Sequence, residues 1–144
     1  MKIFVTGTRR GLGKAIAEKY GNCDSLEECD IFINCKHNGF EQVNLLYKAA
    51  ELNKKIVNIG SNSGDGIKKD QPWIYSVEKN ALDKANEQLF YQGVDTTCIR
   101  FGWIDTPRVA EYKGKKMSVD YCIEVIEWVV KQPHRIKDIT VVPE

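Results

Sequence analysis

Several features that define other protein classes are missing from this sequence of 144 residues. No apolar run approaches the ~18 residues of a membrane-spanning helix, so we expect no membrane partner. The formal net charge is only +1, which gives no reason to expect nucleic acid as a partner. No secretion signal precedes the first apolar strand, so we expect a cytoplasmic protein. No proline- or glycine-rich linker divides the chain, so we expect one domain over residues 1–144.

The cysteines lack the paired C-x-x-C spacing of common zinc sites. There are five of them, and the odd count favours reduced thiols in a cytosol-like compartment. Cys23, Cys29, Cys35 and His37 are close enough in sequence to form a zinc set, but Cys35 ends an apolar strand. We therefore interpret the cysteines as small buried side chains and expect no metal.

Apolar runs alternate with segments of helical periodicity along the whole chain. The pattern predicts strands at residues 2–6, 30–34, 55–60, 95–101 and 138–142. It predicts helices at 11–20, 40–52, 72–91 and 119–131, the last with Ser118 as its N-cap. Such alternation is typical of an α/β protein with a mostly parallel sheet, here of about five strands.

The segment TGTRRGLG follows the first predicted strand and opens the first helix. Gly7, Gly11 and Gly13 allow a tight turn and a close approach of the backbone to a pyrophosphate at the positive end of the helix. Arg9 and Arg10 lie where side chains can reach a phosphate on an adenosine ribose. The alternative reading is a plain tight turn that carries two solvated charges.

The segment YSVEK opens the main part of the third predicted helix. Tyr75 and Lys79 are four residues apart and therefore lie on one face of that helix. A lysine ammonium beside a phenol favours the phenolate, so Tyr75 can act as an acid or base closer to neutral pH. Ser61 ends the preceding strand and can hold the carbonyl oxygen that Tyr75 protonates. The spacing recurs at Tyr112 and Lys116 in a charged loop, and this copy is an internal control.

These segments together resemble the short-chain dehydrogenase/reductase (SDR) family. TGTRRGLG matches its T-G-x-x-x-G-x-G loop, IGSNSG its serine-bearing strand, and YSVEK its catalytic pair. IRFGWIDTP is similar to its segment along the nicotinamide, and SVDYCIEVIEWVVKQPHRIKDITVVP to its last helix and strand. The resemblance implies a Rossmann-like three-layer fold and an NADP(H)-dependent oxidoreductase that reversibly reduces a carbonyl of a small or acyl-thioester substrate. The alternative is a degenerate, non-catalytic relative that binds a nucleotide or scaffolds a partner.

The resemblance also implies roles for single residues. Ser61, with Ser63 as the second choice, orients the carbonyl. Tyr75 donates and accepts the proton, while Lys79 lowers the pKa of Tyr75 and binds the nicotinamide ribose.

An asparagine of the second predicted helix usually completes the proton relay in this family. Asn38 is favoured and Asn44 is second, although Asn38 is equally explained as a helix cap that forms a capping box with Glu41. A basic residue before Gly11 favours NADP(H) over NAD(H). The implied cofactor contacts are Gly7, Thr8, Arg9, Arg10, Gly11, Leu12, Gly13, Asn34, Tyr75, Lys79, Gly102, Ile104 and Thr106.

The chain departs from the family in three places. The N-A-G turn of the family reads N-C-K at residues 34–36, and Phe101 replaces the proline before Gly102. YGNCDSLEEC stands where the second and third strands and their helices would lie. We therefore interpret the chain as a truncated member without the half that holds adenosine.

The truncation raises a question of topology. If the first helix keeps the face it has in the family and leads directly to the strand at 30–34, the connection is left-handed. The alternatives are a helix that has changed faces, or a vestigial strand or partner chain near residues 21–24.

Two expectations concern partners. Lys113, Lys115 and Lys116 would attract an anionic substrate such as an acyl-CoA, but a solvated charge run is the simpler reading. A small sheet with an uncovered edge buries little surface, and the family pairs its subunits through the helices at 40–52 and 73–91. We therefore expect a homodimer or homotetramer.

Overall fold

The computed structural model describes residues 1–144 and contains five strands and four helices in alternation. The strands are β1 (Ile3–Val5), β2 (Ile31–Asn34), β3 (Lys55–Ser61), β4 (Thr96–Phe101) and β5 (Asp138–Val141). The helices are α1 (Gly11–Tyr20), α2 (Glu41–Glu51), α3 (Ile74–Tyr91) and α4 (Val119–Lys131), and short 3-10 helices lie at Asn62–Asp65 and Pro107–Val109. The predicted α/β class and every predicted element are confirmed. None of the helices combines the length and the apolar character needed to cross a membrane.

All five strands are parallel and lie in chain order across one sheet, from β1 to β5. The apolar runs of β2 and β3 are buried almost throughout, as expected for central strands that are covered on both faces. β1 and β5 form the two edges. Because the strands are parallel, the loops that follow them gather at one end of the sheet.

The helices are divided equally between the two faces of the sheet. Leu12 and Ile16 of α1 share one core cluster with Ile126 of α4. Leu46 of α2 and Leu82 of α3 belong to a second cluster on the other face. The fold therefore has three layers, with the sheet in the middle.

This division sets the handedness of the connections. Each helix joins a strand to its next neighbour, always in the same direction across the sheet. Connections that cross opposite faces of the sheet then have opposite hands. The connections through α1 and α4 have one hand, and those through α2 and α3 have the other. Two of the four connections thus break the right-handed rule. Of the arrangements considered above, the structure shows the first helix on the face opposite α2 and α3.

The outer edge of β1 is closed by the segment after α1, which forms no strand. The Val5 N–H donates to Asn22 Oδ1 at 2.9 Å, and Asn22 Nδ2 donates to the Val5 carbonyl at 3.2 Å. The Cys23 N–H donates to the Ile3 carbonyl at 2.9 Å. The Asn22 amide thus replaces the donor and acceptor of a neighbouring backbone and satisfies this edge.

The helix starts were predicted with mixed success. Ser118 caps α4 as predicted, since its Oγ accepts from the Tyr121 N–H at 3.1 Å. The predicted capping box of α2 is wrong, because Asn38 Nδ2 donates to the Glu41 carboxylate at 2.8 Å and no side chain caps the backbone. α3 begins at Ile74, two residues after the predicted start, and also lacks a side-chain cap.

Candidate active site

The predicted site segments meet at the carboxyl ends of the strands. β1 and β2 send their helices to opposite faces. The carboxyl ends of these two strands are therefore the position, here called the crevice, where such sheets usually bind ligands. Thr6 Oγ1 accepts from the N–H groups of Cys35 and Lys36, both at 3.0 Å, and so joins the two loops. A Cβ atom on Gly11 would lie 3.5 Å from the Thr106 methyl group, so the segment after β4 reaches the same crevice.

The glycine-rich loop fits a bound phosphate group. Gly7 and Gly11 have φ angles of +76° and +65°, which favour glycine. A Cβ atom on Gly13 would lie 2.2 Å from the Gly7 carbonyl oxygen, so the loop closes only with glycine there. No side chain caps α1, which leaves its first amides as donors for an anion. The Leu12 side chain lies in the core, so only its backbone can contact a ligand.

Arg9 and Arg10 are exposed at the start of α1. Neither forms an ion pair with a carboxylate of the protein. Both guanidinium groups are therefore free to bind a phosphate beside the glycine-rich loop.

Tyr75 and Lys79 lie together on the inner face of α3. Lys79 Nζ is 5.7 Å from the centroid of the Tyr75 ring. The Lys79 side chain is buried, and its Nζ donates to Gln42 Oε1 at 2.9 Å and to the Ile59 carbonyl at 3.3 Å. Burial lowers the pKa of Lys79 to about 8. The structure thus places a partly destabilised ammonium beside the phenol, the two side chains that the sequence predicted to act together.

Ser61 is the last residue of β3 and is buried. Its Oγ accepts from the Ser63 N–H at 3.0 Å, which fixes the oxygen at the start of the 3-10 helix. The hydroxyl hydrogen remains available to donate to a ligand. Ser63 lies within the 3-10 helix and is half-buried.

The structure does not bring Asn38 or Asn44 to Lys79. Both asparagines are exposed, and Asn38 is bonded to a neighbouring carboxylate. Gln42 occupies the position instead, because its Oε1 accepts from Lys79 while its Nε2 donates to the carbonyls of Asn34 and Ile59, at 2.8 and 3.0 Å.

Sequence reasoning missed Gln42 because it considered only asparagines. Gln42 lies four and seven residues before Leu46 and Ala49, which form the buried stripe of α2. A glutamine within an apolar stripe signals a polar partner inside the protein, since a buried amide must be hydrogen-bonded.

Asn34 supports the site from inside the protein. Its side chain is fully buried, and Nδ2 donates to the Gln42 carbonyl at 2.8 Å and to Asn58 Oδ1 at 2.9 Å. Asn58 Nδ2 donates in turn to Asn86 Oδ1 at 3.1 Å. The Asn34 side chain is therefore engaged in a buried amide network, and the predicted contact of Asn34 with a cofactor stays a prediction.

The segment after β4 is anchored at both ends. The Gly102 N–H donates to the Val141 carbonyl at 2.8 Å, and Ile104 forms an isolated parallel bridge with Met117. Thr106 follows beside the glycine-rich loop. Thr106 is thus the residue of this segment that lies beside the phosphate-binding loop, and the predicted contacts of Gly102 and Ile104 with the nicotinamide stay predictions.

The second Y-x-x-x-K copy does not form a comparable pair. The Tyr112 ring stacks on Trp103 with centroids 4.0 Å apart. Lys116 Nζ is 3.7 Å from Asp105 Oδ1 and donates to the Val109 carbonyl. These contacts hold both side chains in place and give neither of them a partner for proton transfer.

The cysteines form no metal centre. All five are free thiols, and no group of three or more histidine, cysteine or acidic side chains is arranged to hold a metal ion. Burial raises the pKa of the Cys29 thiol, which favours its uncharged form.

Fold and crevice together define a Rossmann-like α/β protein. No family model and no curated protein sequence matches the chain. Solved structures match over nearly its whole length. One is BdcA in complex with NADPH, with a TM-score of 0.74 and 14% identity over 99% of this chain and 93% of that chain. Another is a short chain dehydrogenase from Burkholderia cenocepacia in complex with NADP, at 0.71 and 13%, over 99% and 95% of the two chains. An alcohol dehydrogenase from the archaeon Thermococcus sibiricus complexed with 5-hydroxy-NADP matches at 0.69 and 17%, over 98% and 96%. The predicted fold class is thus confirmed.

Proposed function

We propose that the chain is an oxidoreductase of the short-chain dehydrogenase/reductase type, which uses NADP(H) to reduce a carbonyl reversibly to an alcohol. The observation that carries this proposal is the buried Lys79 ammonium beside the Tyr75 ring, at the edge of a glycine-rich crevice. A protein that only bound a nucleotide would gain nothing from a lysine with a lowered pKa next to a phenol. The similarity in fold to solved dehydrogenases supports the same reaction class.

Each residue of the site has a defined part in this reaction. A bound nicotinamide cofactor supplies the hydride, which brings both electrons of the new C–H bond to the carbonyl carbon. The Ser61 hydroxyl donates to the carbonyl oxygen and holds it near Tyr75. Tyr75 gives its proton to that oxygen, and the Lys79 ammonium stabilises the remaining phenolate until a proton returns from solvent. Oxidation of an alcohol runs through the same steps in reverse.

The cofactor would be held mainly by its phosphates and its nicotinamide. The amides at the start of α1 bind the pyrophosphate, and Arg9 and Arg10 bind the 2′-phosphate of the adenosine ribose. The segment from Gly102 to Thr106 would contact the nicotinamide. We further propose that the chain is a truncated relative, because β1 is an edge strand and Asn22 occupies the position beside it.

The decisive experiment follows the loss of NADPH absorbance over a panel of small ketones and acyl thioesters. Tyr75→Phe removes only the hydroxyl and should lower kcat by about 10²- to 10⁴-fold. Tyr112→Phe is the matched control, since it removes the hydroxyl of the second Y-x-x-x-K copy and keeps the stacking on Trp103. That variant should retain wild-type turnover.

The opposite result would support the non-catalytic alternative. Calorimetry would then detect NADPH binding, no carbonyl compound would be turned over, and Tyr75→Phe would leave binding unchanged. A lysine cluster at Lys113, Lys115 and Lys116 makes acyl-CoA thioesters worth including in the panel, because their phosphates are anionic.

We also propose that the protein is a homodimer or homotetramer. Apolar side chains on α2 and at the start of α3 are exposed, among them Tyr47 at 41%, Ile74 at 64% and Val77 at 56%. Association through these helices would remove this apolar surface from water.

A further inference from the structure

Residues 66–73 form a loop that leads directly to the proposed proton donor. The loop follows the 3-10 helix at the end of β3 and stops at the first turn of α3, which carries Tyr75. The buried Ser76 donates from its Oγ to the Gly66 carbonyl at 2.7 Å and so ties the start of the loop to α3. A Cβ atom on Gly66 would lie 2.6 Å from Cζ3 of Trp73, so the indole ring packs directly on the backbone of the loop. The Trp73 ring is therefore held in a defined position.

The Trp73 ring lies next to the proposed proton donor and also next to an ammonium. The centroids of the Trp73 and Tyr75 rings are 6.4 Å apart, with planes at 33°. Lys68 Nζ lies 4.5 Å from the centroid of the Trp73 ring. The two rings are half-buried and Lys68 is exposed, so a ligand has access to all three side chains. A substrate whose carbonyl meets Tyr75 can thus reach Lys68 across a single indole ring.

The Lys68 ammonium has no anionic partner within the protein. It forms no ion pair with a carboxylate, and Asp70 of the same loop is exposed and forms none either. Its contact with the indole is worth only about 0.5–1 kcal/mol at such an exposed position. An ammonium has three donor hydrogens, and the face of a ring accepts none of them as a carboxylate would. Lys68 is therefore free to bind an anion.

Other charges near Tyr75 also favour an anion. Lys79 Nζ lies 5.7 Å from the centroid of the Tyr75 ring. Burial lowers the pKa of both Lys79 and His37, and the positive charge of Arg108 lowers both further. The Glu78 carboxylate is already engaged, since its Oε1 lies 3.4 Å from His37 Nε2. A negatively charged substrate is therefore attracted to this region more than a neutral one.

We propose that the Lys68 ammonium binds a carboxylate of the substrate, whose chain lies along the Trp73 ring, and that the protein acts on oxo acids in preference to neutral ketones. This inference rests on the proposed function, which places the carbonyl at Tyr75. One ammonium matches the single charge of one carboxylate. Lys68 is thus a residue that determines specificity and contacts no reacting atom.

Levulinate and its methyl ester provide the comparison, because both contain the same ketone and only the acid is charged. In the wild type, kcat/KM for reduction should favour the acid by about tenfold, the effect of one charge-assisted hydrogen bond at an exposed ammonium. Acid and ester pairs longer by one and two methylene groups cover the distances that a flexible lysine side chain can bridge. For the pair with the largest preference, Lys68→Gln should bring the ratio close to one, and Lys68→Glu should favour the ester.

Lys69→Gln is the matched control, because it removes the same charge one residue further along the loop. Lys69 is exposed and forms no ion pair, so this variant should keep the preference for the acid. Arg108→Gln examines the other exposed cation that acts on the site. If Arg108→Gln loses the preference and Lys68→Gln keeps it, Arg108 binds the carboxylate and the proposal is wrong.

Ionic strength separates the recognition of charge from a change in the packing of the loop. The preference of the wild type for the acid should fall as salt rises from about 0.01 M to about 1 M, because salt shortens the range of an exposed charge. In Lys68→Gln the ratio should not depend on salt. A wild-type preference that is independent of salt would contradict binding by an exposed ammonium.

The Trp73 indole gives a readout that does not depend on turnover. The chain has three tryptophans, so Trp73→Phe assigns the indole N–H resonance of Trp73. Levulinate added with NADP should shift this resonance in the wild type and in Lys69→Gln, but not in Lys68→Gln. The absence of a shift in the wild type at saturating levulinate would overturn the proposal.

Failure of this proposal can be told from failure of the proposed function. If the wild type reduces the esters as well as the acids at all three lengths, the reductase function stands and the binding of a carboxylate by Lys68 is wrong. If it reduces no carbonyl compound, the proposed function has failed, and the Trp73 resonance alone decides whether Lys68 binds the acid.

Discussion

Lys79 is both the proposed stabiliser of the phenolate and one of the most buried charged side chains of the protein, with 4% exposure. Burial lowers the pKa of this ammonium to about 8. Below that pH the buried group is charged, and the charge destabilises the folded state. The unfolded chain keeps this proton up to about pH 10. Function and stability therefore oppose each other at this residue.

The first prediction is that this opposition is visible in the pH dependence of unfolding. Below about pH 8 both states carry the proton on Lys79, and the burial penalty is fully present. Between about pH 8 and 10 only the unfolded state keeps it, so stability rises with pH. The free energy of unfolding of the wild type relative to Lys79→Met should increase by about 2–3 kcal/mol between these limits.

Urea titrations at several pH values measure this difference. Lys113→Met is the matched control, because Lys113 is exposed and forms no ion pair, and its difference from the wild type should stay flat. A flat difference for Lys79→Met as well would mean that the ammonium is solvated in the folded protein.

The second prediction concerns Arg9 and Arg10. A charge-assisted bond to the 2′-phosphate is worth about 1.5–3 kcal/mol, so NADPH should bind about tenfold to a hundredfold more tightly than NADH. Replacing both arginines with alanine should erase this preference in calorimetry, while Lys14→Ala in the first turn of α1, just after the arginines, should keep it. A double variant with the wild-type ratio would show that the phosphate is recognised elsewhere.

At the scale of residues, the sequence was sufficient to predict side chains that meet because they are close together in the chain. Tyr75 and Lys79 are four residues apart on one helix, so their proximity follows from helix geometry alone. Gln42 and His37 approach them from a different helix and loop. Their contacts depend on how α2 and α3 pack, and no local pattern in the chain records that.

At the scale of elements, the β1 edge is the least ordinary part of the fold. A parallel edge strand exposes backbone groups that invite pairing with another chain. Here the Asn22 side chain satisfies both the N–H and the carbonyl of Val5. One asparagine therefore protects the edge beside the proposed truncation.

The third prediction is that Asn22→Ala opens this edge. Loss of the two hydrogen bonds should lower the free energy of unfolding by about 1–2 kcal/mol. The Val5 amide should also exchange with solvent faster, which hydrogen exchange measures at that residue. Gln88→Ala is the control, since Gln88 is exposed on α3 and its side chain makes no hydrogen bond. Unchanged protection of the Val5 amide would show that the Asn22 contact is not formed in solution.

The order of the elements was predictable and their placement was not. Periodicity distinguishes helices from strands, because each element must bury its own apolar side chains. The face on which α1 lies is decided by the fit of Leu12 and Ile16 against α4, which is far away in the sequence. The rule that parallel strands are joined by right-handed connections fails for two of the four connections in this sheet. Only the packed structure shows that these two connections have the opposite hand.

At the scale of the whole molecule, the chain buries only 36 of its 144 residues. Small domains leave much of their apolar surface in contact with water, and association covers it. Exposed apolar side chains occur on two faces. One face is formed by α2 and α3 with Val77, and the other by α4 with Trp128, which is 53% exposed.

The fourth prediction assigns the dimer contact to the face of α2 and α3. A stable interface buries roughly 800 Å² per partner, about a tenth of the 8370 Å² surface of this chain, and a charge at its centre should disrupt it. Val77→Glu should therefore reduce the assembly mass in analytical ultracentrifugation at micromolar concentration, without loss of helix content. Trp128→Glu should reduce the mass only if the protein is a tetramer that also uses the second face. A wild-type species of 16.4 kDa would sink the prediction of assembly, and an unchanged mass for Val77→Glu would move the interface to α4.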